Sequence, residues 1–432
     1  MKKRFYNFIP LAAAVFALFL LCGCNRAATM PPDDTAAAGP ETVAAMTAAG
    51  PETRAESENP AGSAIAAAPV QTGLAVENGS VVFRNEDGSL FTGGLKAVTE
   101  NGDTKLYYFQ EDGTAFTGGY RPVRSSAGTD YYYFLSNGQA FNTGYKSVRI
   151  GGAEKIFFFQ EDGKAFTGGL KRVDFGGESY LYYFQATGQA LTGAFKTVDG
   201  VEYCWQADGR AARNAFVTSG GDLRYYGDDC APTAGGWFCV GDGYYYADES
   251  GRLLTDTVRE GYRLDENGKS ATKYRIALLA AEHTDETMTD QEKIDALYDW
   301  ILGSRMTYIH AYEHLRSSWV WEEGWPDDMA SSLLDQGGGN CYRYASLFAF
   351  LVREATGLPV TLWHGMTPGI RIDRTPHGWV TVRQDGKWYS YDVELQKFSG
   401  YPRESCWKVP YSESSGTLYF DGIATNLYGR DG

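Results

Sequence analysis

The chain has 432 residues, enough for two or three domains and a sizeable buried core, and at 43% apolar and 22% charged it is largely globular. Lys and Arg total 39 against 54 Asp and Glu, a formal charge of −15, which argues against a phosphate backbone as partner and so against nucleic-acid binding. The 30 Tyr, 23 Phe and 52 Gly point to short aromatic strands joined by tight turns rather than to a helical bundle.

Lys2, Lys3 and Arg4 precede an apolar run from Phe8 to Leu21, too short to span a bilayer comfortably, with the charged start and apolar centre of an export signal. It ends in Leu21-Cys22-Gly23-Cys24, which resembles the lipobox of bacterial lipoproteins. The resemblance implies cleavage after residue 23 and a diacylated Cys24 holding the chain on the outer face of the membrane. Residues 24–70 are Ala, Pro, Thr, Glu and Gly with almost no aromatic or branched apolar residues, a composition that cannot offset the entropy of folding. They are expected to form a tether, a coil spanning roughly 35 to 40 Å and extensible to about 150 Å.

Residues 71–270 carry an internal repeat. Glycines at 88, 113, 138, 163 and 188 recur every 25 residues, each after Asp, Asn or Thr. Each unit reads as an aromatic strand such as Tyr107-Tyr108-Phe109, a turn, a Phe-Thr-Gly-Gly stretch or a variant, and a second strand: one β-hairpin per repeat. A lone hairpin cannot bury its aromatic face, so the units must stack into a solenoid. Beyond Gly188 the pattern loosens, with weaker units around Asp208-Gly209, Tyr225-Tyr226, Tyr244 to Tyr246 and Asn267-Gly268.

The units resemble the cell-wall-binding repeats of Gram-positive surface proteins, which include choline- and glucan-binding modules. The resemblance implies a wall polymer or glycan as partner, held by aromatic cages or sugar platforms. The family's usual Trp after the Thr-Gly pair is replaced by Leu95, Tyr120, Tyr145, Leu170 and Phe195, and the leucines supply no cage wall. Tyr120 and Tyr145 are the rings expected to face a ligand. The alternative is that the aromatics form the solenoid core and the array is a spacer.

With Cys22 removed and Cys24 lipidated, Cys204, Cys230, Cys239, Cys341 and Cys406 remain, an odd number that suggests one functional thiol, while Cys230 and Cys239 are close enough in sequence to pair. No paired Cys or His spacing suggests a metal, and no cofactor is expected. From about residue 271 helical periodicity replaces the repeats. Thr289-Asp290-Gln291-Glu292 is a capping box, and a second helix opens with Cys341 in its first turn and ends at Gly357 and Pro359. Strands follow at Pro359 to Trp363, Gly378 to Arg383 and Lys387 to Val393, the last two joined at Asp385-Gly386, so residues 271–432 have an α+β order.

A helix N-terminus favours the thiolate of Cys341 and offers its N–H to an oxyanion. The hairpin sets His377 beside Asp392, an imidazole with a carboxylate to orient it. At Gly339-Asn340-Cys341-Tyr342-Arg343-Tyr344-Ala345, Gly357-Leu358-Pro359, His377-Gly378-Trp379-Val380, Gly386-Lys387-Trp388 and Asp392 the chain resembles the transglutaminase-like superfamily, with a papain-like core. That resemblance implies Cys341 as nucleophile, His377 as general base and acid, and Asp392 as orienter, acting on a protein or peptide amide. Val393 stands where the family often has Pro. His283, His310, His314 and His364 read as surface or packing residues, and Trp319, Trp321 and Trp325 as an acceptor groove or core. The expectation is a surface-anchored thiol enzyme, hydrolase or transamidase, with a non-catalytic binding protein on the same scaffold as the alternative.

Overall fold

A computed structural model describes residues 72–310, 321–368 and 373–427. The signal segment, Cys24, the tether, His314 and Trp319 lie outside the described residues. The described chain divides into two compact units, one of residues 72–215 with 226–232, the other of residues 216–225 with 233–427.

The first unit is a stack of antiparallel hairpins, but the phase differs from that expected. The strand after the Thr-Gly-Gly stretch pairs with the next aromatic strand, Gly94–Glu100 with Asp103–Phe109, and the turn between them is Asn101-Gly102. Both turn residues have positive φ, 51° and 82°, as a two-residue hairpin turn requires. The Asp-Gly step that marks the repeat instead links one hairpin to the next: the Asp112 carboxylate accepts from Thr114 N at 2.9 Å, and Ala115 N donates to Val81 O at 2.7 Å. That link recurs from Ala140 to Leu106, Ala165 to Tyr131 and Ala190 to Ile156, so each unit is bonded to its predecessor. The turn glycine is needed for closeness, since a Cβ at Gly188 would lie 2.9 Å from the Ala165 Cβ. Along each aromatic strand the first and third rings, such as Tyr107 and Phe109 or Phe157 and Phe159, are buried, and the middle one is half-buried.

The second unit begins with further hairpins, including Gly236–Val240 with Gly243–Ala247 and Thr257–Arg259 with Tyr262–Leu264. Helix α1 (Ala271–His283) is capped by Ser270, and α2 (Asp290–Gly303) by the expected box of Thr289 and Glu292. Helix α3 (Trp325–Gln336) was not foreseen; Pro326 opens it and left-handed Gly337 closes it. Helix α4 (Cys341–Thr356) is the centre of the unit, with residues 341 to 352 all buried, and it ends at Gly357 as expected. A five-stranded sheet covers it: β1 (Val360–Pro368), β2 (Arg374–Gln384), β3 (Lys387–Tyr391), β4 (Val409–Pro410) and β5 (Phe420–Asn426), in the order β4-β3-β2-β1-β5. Strands β1 and β2 are longer than their apolar runs suggested, and Asp385-Gly386 turns β2 into β3.

The last hairpins and the helices share one core. The Tyr262 ring stacks on Phe350 of α4 with centroids 4.2 Å apart, Glu260 pairs with Arg353, and Trp237 Nε1 donates to Glu260 at 3.0 Å. No disulfide joins any of the five described cysteines, which corrects the Cys230–Cys239 pairing. Cys230 is buried at a left-handed turn against Leu181, Trp205 and Ala211, while Cys239 lies on a hairpin strand.

Candidate active site

Three backbone features converge on Cys341. Asn340 caps α4 by accepting from Arg343 N at 3.3 Å, and the Arg343 guanidinium donates back to Gln336 Oε1 at 2.7 Å, tying the turn before Cys341 to the end of α3. Gly338 and Gly339 bridge in parallel to Thr307 and Tyr308, and a Cβ at Gly338 would lie 2.6 Å from Thr307 O. Gly378 lets β2 approach the first turn of α4: a Cβ there would meet Tyr342 Cδ1 at 2.8 Å and Tyr342 Cα at 3.2 Å. His377 is carried in beside Cys341 by this close approach.

His377 lies inside β2, and its Nε2 donates to Asp392 Oδ2 at 2.6 Å. The Cys341 side chain is near enough to the ring to favour its charged form. Asp392 follows β3 and caps the short helix α5 (Val393–Phe398), accepting from Leu395 N at 3.1 Å through Oδ1. Burial opposes charge on His377, but the Asp392 carboxylate, the neighbouring Cys341 sulfur and the hydrogen bond to Asp392 outweigh it and hold the imidazole well above its ordinary value. Cys341, His377 and Asp392 are all buried, with 6%, 3% and 3% of their surface exposed, and the N–H of Cys341 belongs to a first helical turn that has no carbonyl of its own to bond.

Several residues at the site lie outside the set the sequence points to. Tyr419 is buried, donates from its hydroxyl to Asp392 Oδ2 at 3.2 Å, and lies with its ring 3° from parallel to His377. Trp379 stacks on the Tyr419 ring with centroids 4.5 Å apart. The Tyr298 hydroxyl donates to Asp392 O at 3.2 Å. Glu394 is buried with Oε2 3.9 Å from His377 Nδ1, and burial pushes its carboxyl up to about 7 despite the attraction of His377. Its signal was legible in principle: Asp392 is a helix cap, and an acid in the turn that follows is common. His377, Asp392 and Glu394 place ligand atoms within 4.8 Å of one another, a metal-like spacing, though the first two already bond each other directly.

The remaining candidates divide. Trp321 stacks on His364 at 3.9 Å and lies 5.1 Å from Tyr342, whereas Trp325 is buried in the core with its Nε1 donating to Thr425. His283 packs on Trp300 and His310 on Tyr308. In the repeats, Tyr120 packs 4.9 Å from Phe157 and donates to Thr187 O at 3.0 Å, and Tyr145 packs against Phe175 and Tyr182. Both rings sit between hairpins.

Residues 277–393, which contain all three site residues, match the family model of the transglutaminase-like superfamily. This segment is a transglutaminase-like domain. Solved structures similar to part of the chain include the modular autolysin LytC from Streptococcus pneumoniae, at 18% identity over 46% of this chain and 42% of that one, with a TM-score of 0.37. Another is the choline-binding domain of CbpL from the same organism, at 20% identity over 46% of this chain and 97% of that one, with a TM-score of 0.34. The chain thus spans less than half the length of LytC. No curated protein matches the chain.

Proposed function

We propose that the chain is a wall-targeted thiol enzyme that cleaves or exchanges amide bonds through a Cys341 thioester. The observation that carries the reading is the buried hydrogen bond from His377 to Asp392, set beside Cys341 at the start of a buried helix in the transglutaminase-like domain. The Cys341 sulfur attacks the amide carbonyl, and the thiol proton passes through His377 to the departing amine. Asp392 holds the ring with Nε2 turned away, leaving Nδ1 for the sulfur. Water or a second amine then attacks the thioester, and His377 returns that nucleophile's proton to sulfur. Water makes the protein a protease or amidase; an amine makes it a cross-linker.

The repeats are proposed to hold this domain on a wall polymer, and Cys24, with the tether behind it, to anchor the chain to the membrane on its outer face. Mass spectrometry of wall peptides and surface proteins incubated with the protein reads both new termini and new isopeptide bonds. Either product, absent with Cys341→Ala, is the expected result. Neither product, together with no labelling of Cys341 by a thiol-directed electrophile, would leave a binding protein on a transglutaminase-like scaffold.

A further inference from the structure

The middle ring of each aromatic strand, half-buried rather than buried, recurs every 25 residues as Phe83, Tyr108, Tyr133, Phe158 and Tyr183. A second ring is fixed beside it by a backbone bond: Phe91 N donates to Phe83 O at 2.8 Å, and the same bond joins Phe116 to Tyr108, Phe141 to Tyr133 and Phe166 to Phe158. Over each pair lies a cation from the following hairpin. Lys96 Nζ is 4.2 and 4.6 Å from the centroids of Phe83 and Phe91, and Arg121 Cζ is 4.0 and 4.8 Å from those of Tyr108 and Phe116. Lys146 lies 4.6 and 4.7 Å from Tyr133 and Phe141, and Lys171 4.3 and 5.0 Å from Phe158 and Phe166. In the fifth unit Leu191 replaces the second ring, and Lys196 keeps one contact, 4.9 Å from Tyr183.

All these distances fall inside the range of about 6 Å over which a ring face attracts a cation. Although acids outnumber bases in the chain, none of the five cations forms an ion pair with a carboxylate among the described residues. Their partners are the rings. Two faces set around one positive charge also describe a receptor for a quaternary ammonium group, and here the charge is tethered to the next hairpin. A tethered competitor acts at an effective concentration on the order of millimolar or above, which a free head group must exceed to enter.

We infer that these clefts are ammonium sites filled by the chain's own Lys and Arg side chains, so that the array takes no quaternary ammonium head group. The cations then do what a bridging ligand would do, clipping each hairpin to its predecessor. The consequence for the wall ligand rests on the proposed targeting role of the repeats; the occupancy of the clefts does not. A polymer held by this array is recognised by chemistry other than ammonium capture.

The test titrates choline chloride into the full-length protein and into Lys146→Ala, followed by calorimetry and by thermal unfolding. The wild type should show no saturable binding. Lys146→Ala should unfold at a lower temperature than the wild type and bind one equivalent of choline, which raises its unfolding temperature again. Lys146→Gln, which keeps most of the stem and loses only the charge, serves the same purpose where the alanine variant does not fold. Saturable choline binding by the wild type overturns the inference, as does a folded variant that gains no choline binding. A wall-sedimentation arm separates the two readings: retention that excess choline does not elute supports the inference, elution by choline overturns it, and absence of retention counts against wall targeting while the titration still decides the clefts.

Discussion

Cys341, His377 and Asp392 contribute unequally to the proposed chemistry, and substitutions should expose the inequality. Without the sulfur no thioester forms, so Cys341→Ala should abolish turnover. His377→Ala should come close to the same loss, because nucleophile and proton carrier act as one unit. Asp392→Asn keeps the cap on α5 but weakens the hold on the imidazole, and a residual rate about 10² to 10⁴-fold down is expected by analogy with hydrolase triads. The measurement is kcat/KM for each variant on one peptide, with folding checked by circular dichroism; near wild-type rates in folded Cys341→Ala would remove the site. Glu394 adds a pH dependence. Its carboxyl sits at about 7 when folded against 4.5 as the ordinary value, so the folded state binds more protons between those limits and loses stability as pH rises through them. His377, also raised when folded, has the same sign: its contribution is full below its ordinary value and is lost as pH climbs through the folded one. Glu394→Gln should therefore gain unfolding temperature relative to the wild type between pH 5 and pH 8, and an unchanged difference across that range would show that the carboxyl is not held protonated. The three candidate residues were legible because each follows a local rule, a helix start, a strand and a hairpin partner. Tyr298 and Tyr419 were not, since they come from distant segments that only the tertiary fold brings to Asp392.

The elements explain why the site is where it is. Helix α4 was readable from its apolar stripe and terminal Gly357, and the start of α1 from the change of periodicity near residue 271, whereas α3 lies in a stretch whose tryptophans read as groove or core alike. The hairpin phase differs from the sequence expectation for a physical reason. Asp112-Gly113 and Asn101-Gly102 are both turn dipeptides, and composition alone does not say which one closes a two-strand ladder; the pair of positive φ angles at Asn101 and Gly102 decides it. The close packing of β2 on α4 yields a further expectation. Gly378→Ala adds a methyl 2.8 Å from a Tyr342 ring carbon and 3.2 Å from its Cα, neither of which can yield without shifting strand or helix. Overpacking of this kind costs about 1 to 3 kcal/mol. It should also move His377 off Cys341, so alkylation of Cys341 by iodoacetamide is expected to slow in a protein that still folds. A wild-type alkylation rate in Gly378→Ala would mean that this approach does not set the Cys341–His377 geometry.

At the scale of the molecule, the question is where the transglutaminase-like domain ends. Sequence periodicity changes near residue 271, yet the core does not stop there. Tyr262 is 1% exposed, with its ring flat on Phe350, and a Cβ at Gly261 would lie 2.8 Å from Leu427 Cδ2. Burial works against charge on Glu260, but Arg353 and Trp237 bond the carboxylate and hold it below its ordinary value, so the pair is an ion pair in a largely dry setting. A chain beginning at residue 271 would lose Tyr262 from the face of α4 and leave Arg353 without its partner. Loss of a large buried aromatic costs about 3 to 5 kcal/mol, and stripping one member from a buried pair adds to it. Against a total stability of about 5 to 15 kcal/mol for a domain, that is enough to unfold it or bring it close. A chain beginning at residue 233 retains these contacts and should fold with a cooperative urea transition, and it should label at Cys341 with the same electrophile as the full protein. The two truncated chains are compared by urea unfolding at equal concentration. A midpoint for the shorter chain equal to that of the longer one would mean that the last hairpins are passengers on the transglutaminase-like domain rather than part of its core.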